Sequence, residues 1–136
     1  MIKEAYCSKE VSILLKEKGF DIPVNYEYHY KITIPQFHRK KHNFNGIEYH
    51  NCSSEWYSAP THQMAMTWLR EVHKIFIEIG ICMDLNGNYH YAYTILDKDC
   101  KYVRRGYTDF DWNYEDTVEA ALKYVLENLI MNIIIK

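Results

Sequence analysis

Two groups of basic side chains in this 136-residue chain could bind an anion: a run at 38–42 and the pair Arg104 and Arg105. The run spans positions 38–42, reads HRKKH, and has the composition of a loop that contacts the phosphates of a nucleic acid or nucleotide. A net charge of −2 argues against a dedicated nucleic-acid binder, so the alternative is a solvated loop. The residues of this anion-binding hypothesis are His38, Arg39, Lys40, Lys41, Arg104 and Arg105.

Histidine and cysteine spacing raises a metal hypothesis that the surrounding segment does not support. His38 and His42 are four positions apart, a spacing that places two imidazoles on one face of a helix, and His50 and Cys52 follow. The segment shows no helical periodicity, however, and structural zinc sites usually contain two closely spaced ligand pairs. We therefore predict no metal site and no cofactor.

Cysteine-dependent catalysis has little support in the sequence. There is no glycine-rich phosphate loop, nucleophile elbow or zinc-protease helix. Cys52 with His50, or Cys82 with His90, could form a nucleophile–base pair, but a cysteine on a strand is more often a packing residue. In the strand register predicted below, His90 faces Asp84 rather than Cys82. We predict no catalytic residue and keep a cysteine-dependent enzyme as an alternative.

Aromatic residues make up 15% of the chain, and several of them fall in predicted loops or strand ends. If they are not buried, they form a stacking or apolar surface for a ligand or partner. The alternative is that they fill the edges of a small core, where aromatic side chains contribute much of the burial. The residues of this surface hypothesis are Trp56, Tyr57, Tyr107, Phe110 and Trp112.

The segment from Lys74 to Leu96 predicts a β-hairpin, because side chains alternate in character on both sides of the turn NGN at 86–88. One face carries isoleucines on the first strand and tyrosines on the second, so it requires a covering layer. A two-residue loop would put polar side chains on that face, because a slip of one residue turns every side chain over. We therefore predict a three-residue loop at 86–88. The predicted pairs are Leu85 with Tyr89, Met83 with Tyr91, Ile81 with Tyr93, and Ile79 with Ile95.

Three amphipathic helices are predicted from capping residues and apolar stripes. They span Ser8 to Lys18, Thr61 to His73, and Tyr114 to about Leu129. Gly19 can end the first helix in the left-handed conformation, which would let Phe20 fold back onto the apolar stripe.

Other segments predict additional strands. Alternation predicts a strand from Val24 to Ile34, and a further strand is expected between Lys101 and Tyr107. Residues 36–58 are the least determined, with a turn at 45–46 and a short strand at 47–50. The predicted fold is a single α+β domain over residues 1–136. It has an antiparallel sheet of three to five strands and about three helices on one face, in the order α-β-(β)-α-β-β-(β)-α.

The segment 131–136, MNIIIK, contains three consecutive isoleucines that are costly to leave in water. They must pack under the sheet, extend it, or meet another subunit, and a homodimer through this tail is our preferred hypothesis.

The sequence has no run of about 18 apolar residues, so no transmembrane helix is predicted. The N-terminus lacks the apolar core of a signal peptide, so we expect a cytoplasmic protein with free thiols.

Three segments carry a family resemblance: SKEVSILLKEKGF at 8–20, SAPTHQMAMTWLREVH at 58–73, and YEDTVEAALKYVLENLI at 114–130. They are similar to small uncharacterised proteins common in Bacteroides genomes, prophages and crAss-like phages. The resemblance implies a mobile-element origin and a cytoplasmic setting in a bacterium or its infected host. It carries no activity and no site residue over to this chain.

Two function hypotheses follow from these observations. The first is a non-enzymatic interaction module of phage or prophage origin that binds a host or phage protein through aromatic-rich loops or an exposed sheet face. The second is a nucleic-acid or nucleotide-binding accessory protein that uses the 38–42 run with Arg104 and Arg105. Salt dependence separates them, because phosphate contacts weaken steeply as salt rises.

Overall fold

The computed structural model describes residues 4–31, 36–37, 56–107 and 113–131. Within these residues the chain forms three helices and six strands. In chain order they are α1 (Lys9–Glu17), β1 (Tyr26–His29), β2 (Gln36–Phe37), β3 (Trp56–Ser58), α2 (His62–His73), β4 (Phe76–Met83), β5 (Tyr89–Leu96), β6 (Tyr102–Tyr107) and α3 (Tyr114–Asn128).

The α+β class, the antiparallel pairing and the three helices are confirmed for the described residues. The strands divide into two three-stranded sheets, in the orders β2-β1-β3 and β4-β5-β6, where the sequence predicts one sheet. Helices α2 and α3 pack against the second sheet, and α1 contacts both α3 and β3. Helix α1 therefore connects the small first sheet to the helical layer over the second.

The first strand is shorter than the alternation predicts. Strand β1 ends at His29, and Tyr30 and Lys31 form a turn. The predicted strand at 47–50 lies outside the described residues. The predicted third strand of the later sheet is confirmed as β6.

The helices begin at the residues that the capping pattern predicts. The side chain of Ser8 accepts a hydrogen bond from the N–H of Val11, and Thr61 caps α2 in the same way. Gly19 has a φ of 96°, and the N–H of Phe20 bonds back into α1, so the predicted left-handed helix ending is confirmed. Asn113 caps α3 in a reciprocal capping box with Asp116.

The hydrophobic core lies between the helices and the β4-β5-β6 sheet. Phe20 is buried and meets Trp68 of α2 edge to face, with ring centroids 5.4 Å apart. Ile95 of β5 is fully buried beneath α3. The stripe of α3 that fills the core consists of Val118, Ala121, Leu122, Val125 and Leu126.

The register of the β4–β5 hairpin corrects the sequence prediction by two residues. Met83 pairs with Tyr89, so five residues, 84–88, connect the two strands, and the N–H of Asp84 bonds to the carbonyl of Asn88 at 2.8 Å across the base of this loop. The side chain of Asp84 explains the longer loop, because it accepts hydrogen bonds from the N–H groups of Asn86 and Asn88, both at 2.9 Å. The predicted alternation of faces survives, since a slip of two residues keeps every side chain on its own side. The observed pairs on the apolar face are Ile77 with Ile95, Ile79 with Tyr93, Ile81 with Tyr91, and Met83 with Tyr89.

A glycine in β6 makes room for the ring of Tyr93. Gly106 lies opposite Tyr93, and a Cβ atom built on Gly106 would lie 2.1–2.4 Å from atoms of that ring. Such a separation is far inside van der Waals contact. Glycine at 106 therefore lets the buried Tyr93 lie across the neighbouring strand.

Candidate functional site

The outer end of the β4–β5 hairpin exposes apolar side chains that the sequence predicts to be covered. Ile77 and Ile79 are half-buried against the core, but Ile81 is 64% exposed and Met83 is 71% exposed. We name the exposed group Ile81, Met83, Leu85 and Tyr89 the hairpin-tip surface. The prediction that a covering layer buries the whole apolar face of the hairpin is therefore wrong at the outer end.

The hairpin-tip surface is exposed because the ribbon extends past its neighbours. Strand β6 pairs with β5 from Ala92 to Leu96, whereas the β4–β5 ladder continues outward to Met83 and Tyr89. Helix α3 reaches the ribbon at Tyr91, whose ring lies 5.7 Å from that of Tyr114. Beyond Tyr91 the described structure is a narrow two-stranded finger.

The predicted aromatic surface is distributed over the two sheets. Trp56 and Tyr57 are half-buried neighbours in β3, and the ammonium of Lys16 lies 5.0 Å from the ring centre of Tyr57. Tyr107 is the last residue of β6 and pairs with Ala92 of β5, so it lies in the β4-β5-β6 sheet, apart from Trp56 and Tyr57. Phe110 and Trp112 lie outside the described residues, so the complete surface stays a prediction.

Arg104 and Arg105 extend from opposite faces of β6. Arg104 pairs with Ile95 on the core side, and its guanidinium lies 4.4 Å from the ring centre of Tyr124. A hydrogen bond with Tyr93 raises the pKa of Arg104 above its ordinary value. Arg105 lies on the other face, where its Nη2 is 2.9 Å from the Sγ of Cys82. One anion therefore cannot contact both side chains from the same face.

The remaining residues of the anion-binding hypothesis, His38, Arg39, Lys40 and Lys41, lie outside the described residues. That hypothesis stays a prediction.

The two histidine–cysteine pairs considered for catalysis have different outcomes. His50 and Cys52 lie outside the described residues. Cys82 and His90 are direct cross-strand partners, so the prediction that His90 faces Asp84 is wrong. The cause is the two-residue shift of the hairpin register that the Asp84 loop produces.

A buried polar cluster joins the three helices, and sequence reasoning missed it. The segment before α1 pairs with the segment before α2: the N–H of Cys7 bonds to the carbonyl of Pro60, and the N–H of His62 bonds to the carbonyl of Ala5, both at 2.9 Å. This short bridge places Cys7 and His62 side by side. Glu119, in the second turn of α3, completes the cluster.

Hydrogen bonds fix the carboxylate of Glu119 in the cluster. Its Oε1 accepts the N–H of Ser8 at 2.8 Å and lies 2.8 Å from the Nε2 of His62. Its Oε2 accepts the hydroxyl of Ser8 at 2.7 Å. Because the hydroxyl of Ser8 also caps α1, one carboxylate connects the N-termini of α1 and α2 to α3.

Burial and charge set the protonation of the cluster. Burial, followed by the charge of Glu119, raises the pKa of the Cys7 thiol well above its ordinary value. Burial alone would raise the pKa of Glu119, but hydrogen bonds from His62 and Ser8 outweigh it and lower that pKa. Burial, the charge of Glu119 and Cys7 raise the pKa of Tyr28 to about 12, and its hydroxyl donates to the carbonyl of Cys7 at 2.8 Å. The Cys7 thiol is therefore protonated and poorly suited to act as a nucleophile.

The sequence contains one indirect signal for this cluster. Ser8 and Thr61 are both predicted N-caps, and Cys7 and His62 are their immediate neighbours. That the two caps meet is a tertiary fact, because more than fifty positions separate them and no local pattern links them to Glu119.

Comparison of the chain with known protein families, with curated proteins and with solved structures gives no match. Among the described residues, no helix has both the length and the apolar character needed to cross a membrane.

Proposed function

We propose that this protein is a non-enzymatic interaction module that binds another protein through the hairpin-tip surface. The observation that carries the proposal is the outward increase in exposure along one apolar face, from the half-buried Ile79 to Ile81 and then Met83. Contiguous exposed apolar groups of this kind are typical of protein interaction sites.

The chemistry of the surface favours a protein over a polar ligand. Its members are aliphatic, thioether and phenolic side chains, and methionine and tyrosine are enriched at protein interfaces. The ribbon that carries them is two strands wide at its end, and such a ribbon gains stability when a partner covers it. The partner should therefore offer an apolar groove that receives a narrow finger.

The shape favours a different chain over a second copy of this one. A twofold dimer requires that the same patch cover itself. A projecting finger is poorly suited to cover an identical finger, whereas a groove on another protein encloses it. We therefore propose that the partner at the hairpin-tip surface is a different protein, not a second copy of this chain.

The origin and setting of the module belong to the same proposal. The three segments at 8–20, 58–73 and 114–130 that resemble small Bacteroides, prophage and crAss-like phage proteins support a mobile-element origin. The partner would then be a host or phage protein in the bacterial cytoplasm.

Site-specific photocrosslinking in cells that naturally make the chain tests the proposal. Benzophenone alanine replaces Ile81 in one variant and Val72 in the matched control, because Val72 is a similarly exposed aliphatic residue on α2, at 57%. We expect one discrete protein adduct from position 81 and none from position 72. An adduct containing two copies of the chain, equal adducts from both positions, or no adduct from position 81 would overturn the proposal.

A further inference from the structure

Three side chains of the buried cluster have the chemistry of zinc ligands. Cys7 offers a sulfur, His62 an imidazole nitrogen and Glu119 a carboxylate oxygen, and these three donor types are the usual protein ligands of Zn²⁺. Cys7 is completely buried, and His62 is 6% exposed. They come from three different elements, so the fold rather than a local motif assembles the set.

The spacing of the donor atoms is close to what a metal requires. One ligand atom from each of the three residues lies within 4.8 Å of the other two. In a tetrahedral zinc site, bond lengths of about 2.0–2.3 Å place neighbouring donor atoms roughly 3.3–3.6 Å apart. The contact of 2.8 Å between His62 and Glu119 would lengthen slightly, and the wider separations would shorten.

The charges of the three ligands balance those of the ion. A thiolate and a carboxylate supply two negative charges, and a neutral imidazole supplies none. A bound Zn²⁺ therefore produces a neutral site, which avoids the large cost of an uncompensated charge in the protein interior. The same protein without metal keeps the Cys7 proton and the contact between His62 and Glu119.

One buried nitrogen indicates that the hydrogen bonding of the cluster is incomplete. The Nδ1 of His62 is inaccessible to solvent, and no described residue forms a hydrogen bond with it. Buried polar atoms are nearly always satisfied by protein, water or an ion. The Nε2 of the same ring faces Glu119, so Nδ1 points away from the three donor atoms and would need a partner other than an ion bound among them.

Neighbouring side chains hold the ligands in position. Ser8 fixes the carboxylate of Glu119 through its hydroxyl and its N–H, and Tyr28 bonds to the carbonyl of Cys7. Hydrogen bonds of this kind orient metal ligands and strengthen binding.

Solvent can reach the cluster from two sides. His62 lines a cavity of about 530 Å³ next to Thr67 and Tyr114. Glu119 lines an open groove of about 580 Å³ between α1 and α3, next to Tyr93. Cys7 lines neither space, so an ion would have to reach the thiol past His62 or Glu119.

We propose that Cys7, His62 and Glu119 form a Zn²⁺ site with three protein ligands and one water molecule. As the zinc–sulfur bond forms, the Cys7 thiol releases its proton to solvent, so no oxidant or reductant is involved. The bound ion would join the starts of α1 and α2 to α3 at the point where Glu119 already connects them. This site is separate from the hairpin-tip surface, so either proposal can fail alone.

Cobalt binding tests the site directly. The intact chain is stripped with a chelator and titrated with Co²⁺, whose tetrahedral thiolate complexes absorb in the near ultraviolet through sulfur-to-metal charge transfer. We expect one Co²⁺ per chain, a charge-transfer band, and displacement of Co²⁺ by Zn²⁺. Cys7→Ser should abolish the charge-transfer band, and His62→Asn should weaken Co²⁺ binding by about tenfold or more.

Matched variants separate ligand loss from misfolding. Cys100→Ser removes an exposed thiol remote from the cluster and should leave the cobalt spectrum unchanged. If Cys7→Ser does not fold, Glu119→Gln keeps the size of the side chain and should still weaken Co²⁺ binding. The proposal is overturned if the stripped wild-type chain gives no charge-transfer band. It is also overturned if Cys100→Ser, rather than Cys7→Ser, removes the band.

Discussion

Replacement of Gly106 by alanine should destabilise the protein far more than its position on an exposed strand suggests. The new Cβ would lie 2.1 Å from the Cζ of Tyr93, whereas ordinary contacts begin near 3.4 Å. Either the buried ring or strand β6 must therefore move by more than about 1 Å.

Overpacking of a buried aromatic ring costs typically about 1–3 kcal/mol. We expect Gly106→Ala to lower the free energy of unfolding by about 2–3 kcal/mol, which corresponds to a fall in Tm of roughly 10 °C for a domain of this size. Urea denaturation followed by circular dichroism measures the free energy, and a thermal scan measures the Tm.

Two further variants decide whether Tyr93 is the cause. At Gly80, also in the second sheet, an added Cβ meets nothing within 4 Å, so Gly80→Ala should be neutral or stabilise by up to about 1 kcal/mol. In a Tyr93→Ala background the cost of Gly106→Ala should nearly vanish. A Gly106→Ala protein as stable as wild type, or an equal cost with and without Tyr93, would refute the reasoning.

Three smaller predictions concern individual side chains. Burial lowers the pKa of His73, so the neutral form of His73 is favoured in the folded protein and stability falls as the pH drops below about 6.5. An NMR titration should give a pKa for His73 below its ordinary value, and His73→Leu should remove this part of the pH dependence. With chelator present, Glu119→Gln should lower the free energy of unfolding by about 1–3 kcal/mol, because charge-assisted hydrogen bonds are lost. The control Glu127→Gln, at an exposed position, should lower it by less than about 0.5 kcal/mol. Equal losses would contradict the role of the cluster. Asp84→Ala should speed amide exchange in the 84–88 loop while lowering global stability by about 1 kcal/mol at most, and unchanged exchange rates there would show that its side chain does not fix the loop.

Local signals predicted most of the fold. Ser8 and Thr61 cap the helices where the sequence places them, and Gly19 ends α1 as expected, because these features depend on neighbouring residues alone. The face of each hairpin residue is also correct, since alternation fixes the side on which a side chain lies.

The hairpin register and the extent of its cover could not be obtained in the same way. Alternation separates odd from even slips but does not distinguish a three-residue loop from a five-residue loop, and the hydrogen bonds of Asp84 select the longer one. An apolar pattern also cannot show where the covering helices end, so Ile81 and Met83 read as core residues although both are exposed.

The buried cluster depends on tertiary structure. Cys7, His62 and Glu119 meet because a bridge between Tyr6 and Thr61 pairs the segments that lead into α1 and α2, and because α3 contacts both helices. Each residue taken alone has an ordinary explanation in the sequence, whether as a packing thiol, a first-turn residue or an acidic group near a helix start.

Methionine oxidation tests the assignment of the hairpin-tip surface most directly. Met83 is 71% exposed and Met131, at the start of the predicted tail interface, is 85% exposed. In the purified chain, dilute hydrogen peroxide should therefore oxidise both at similar rates, measured by peptide mass spectrometry. In the complex isolated from cells that naturally make the chain, we expect Met83 to be protected and Met131 to react as before. Protection of Met131 with full reaction of Met83 would place the interface at the C-terminal tail and contradict the proposal.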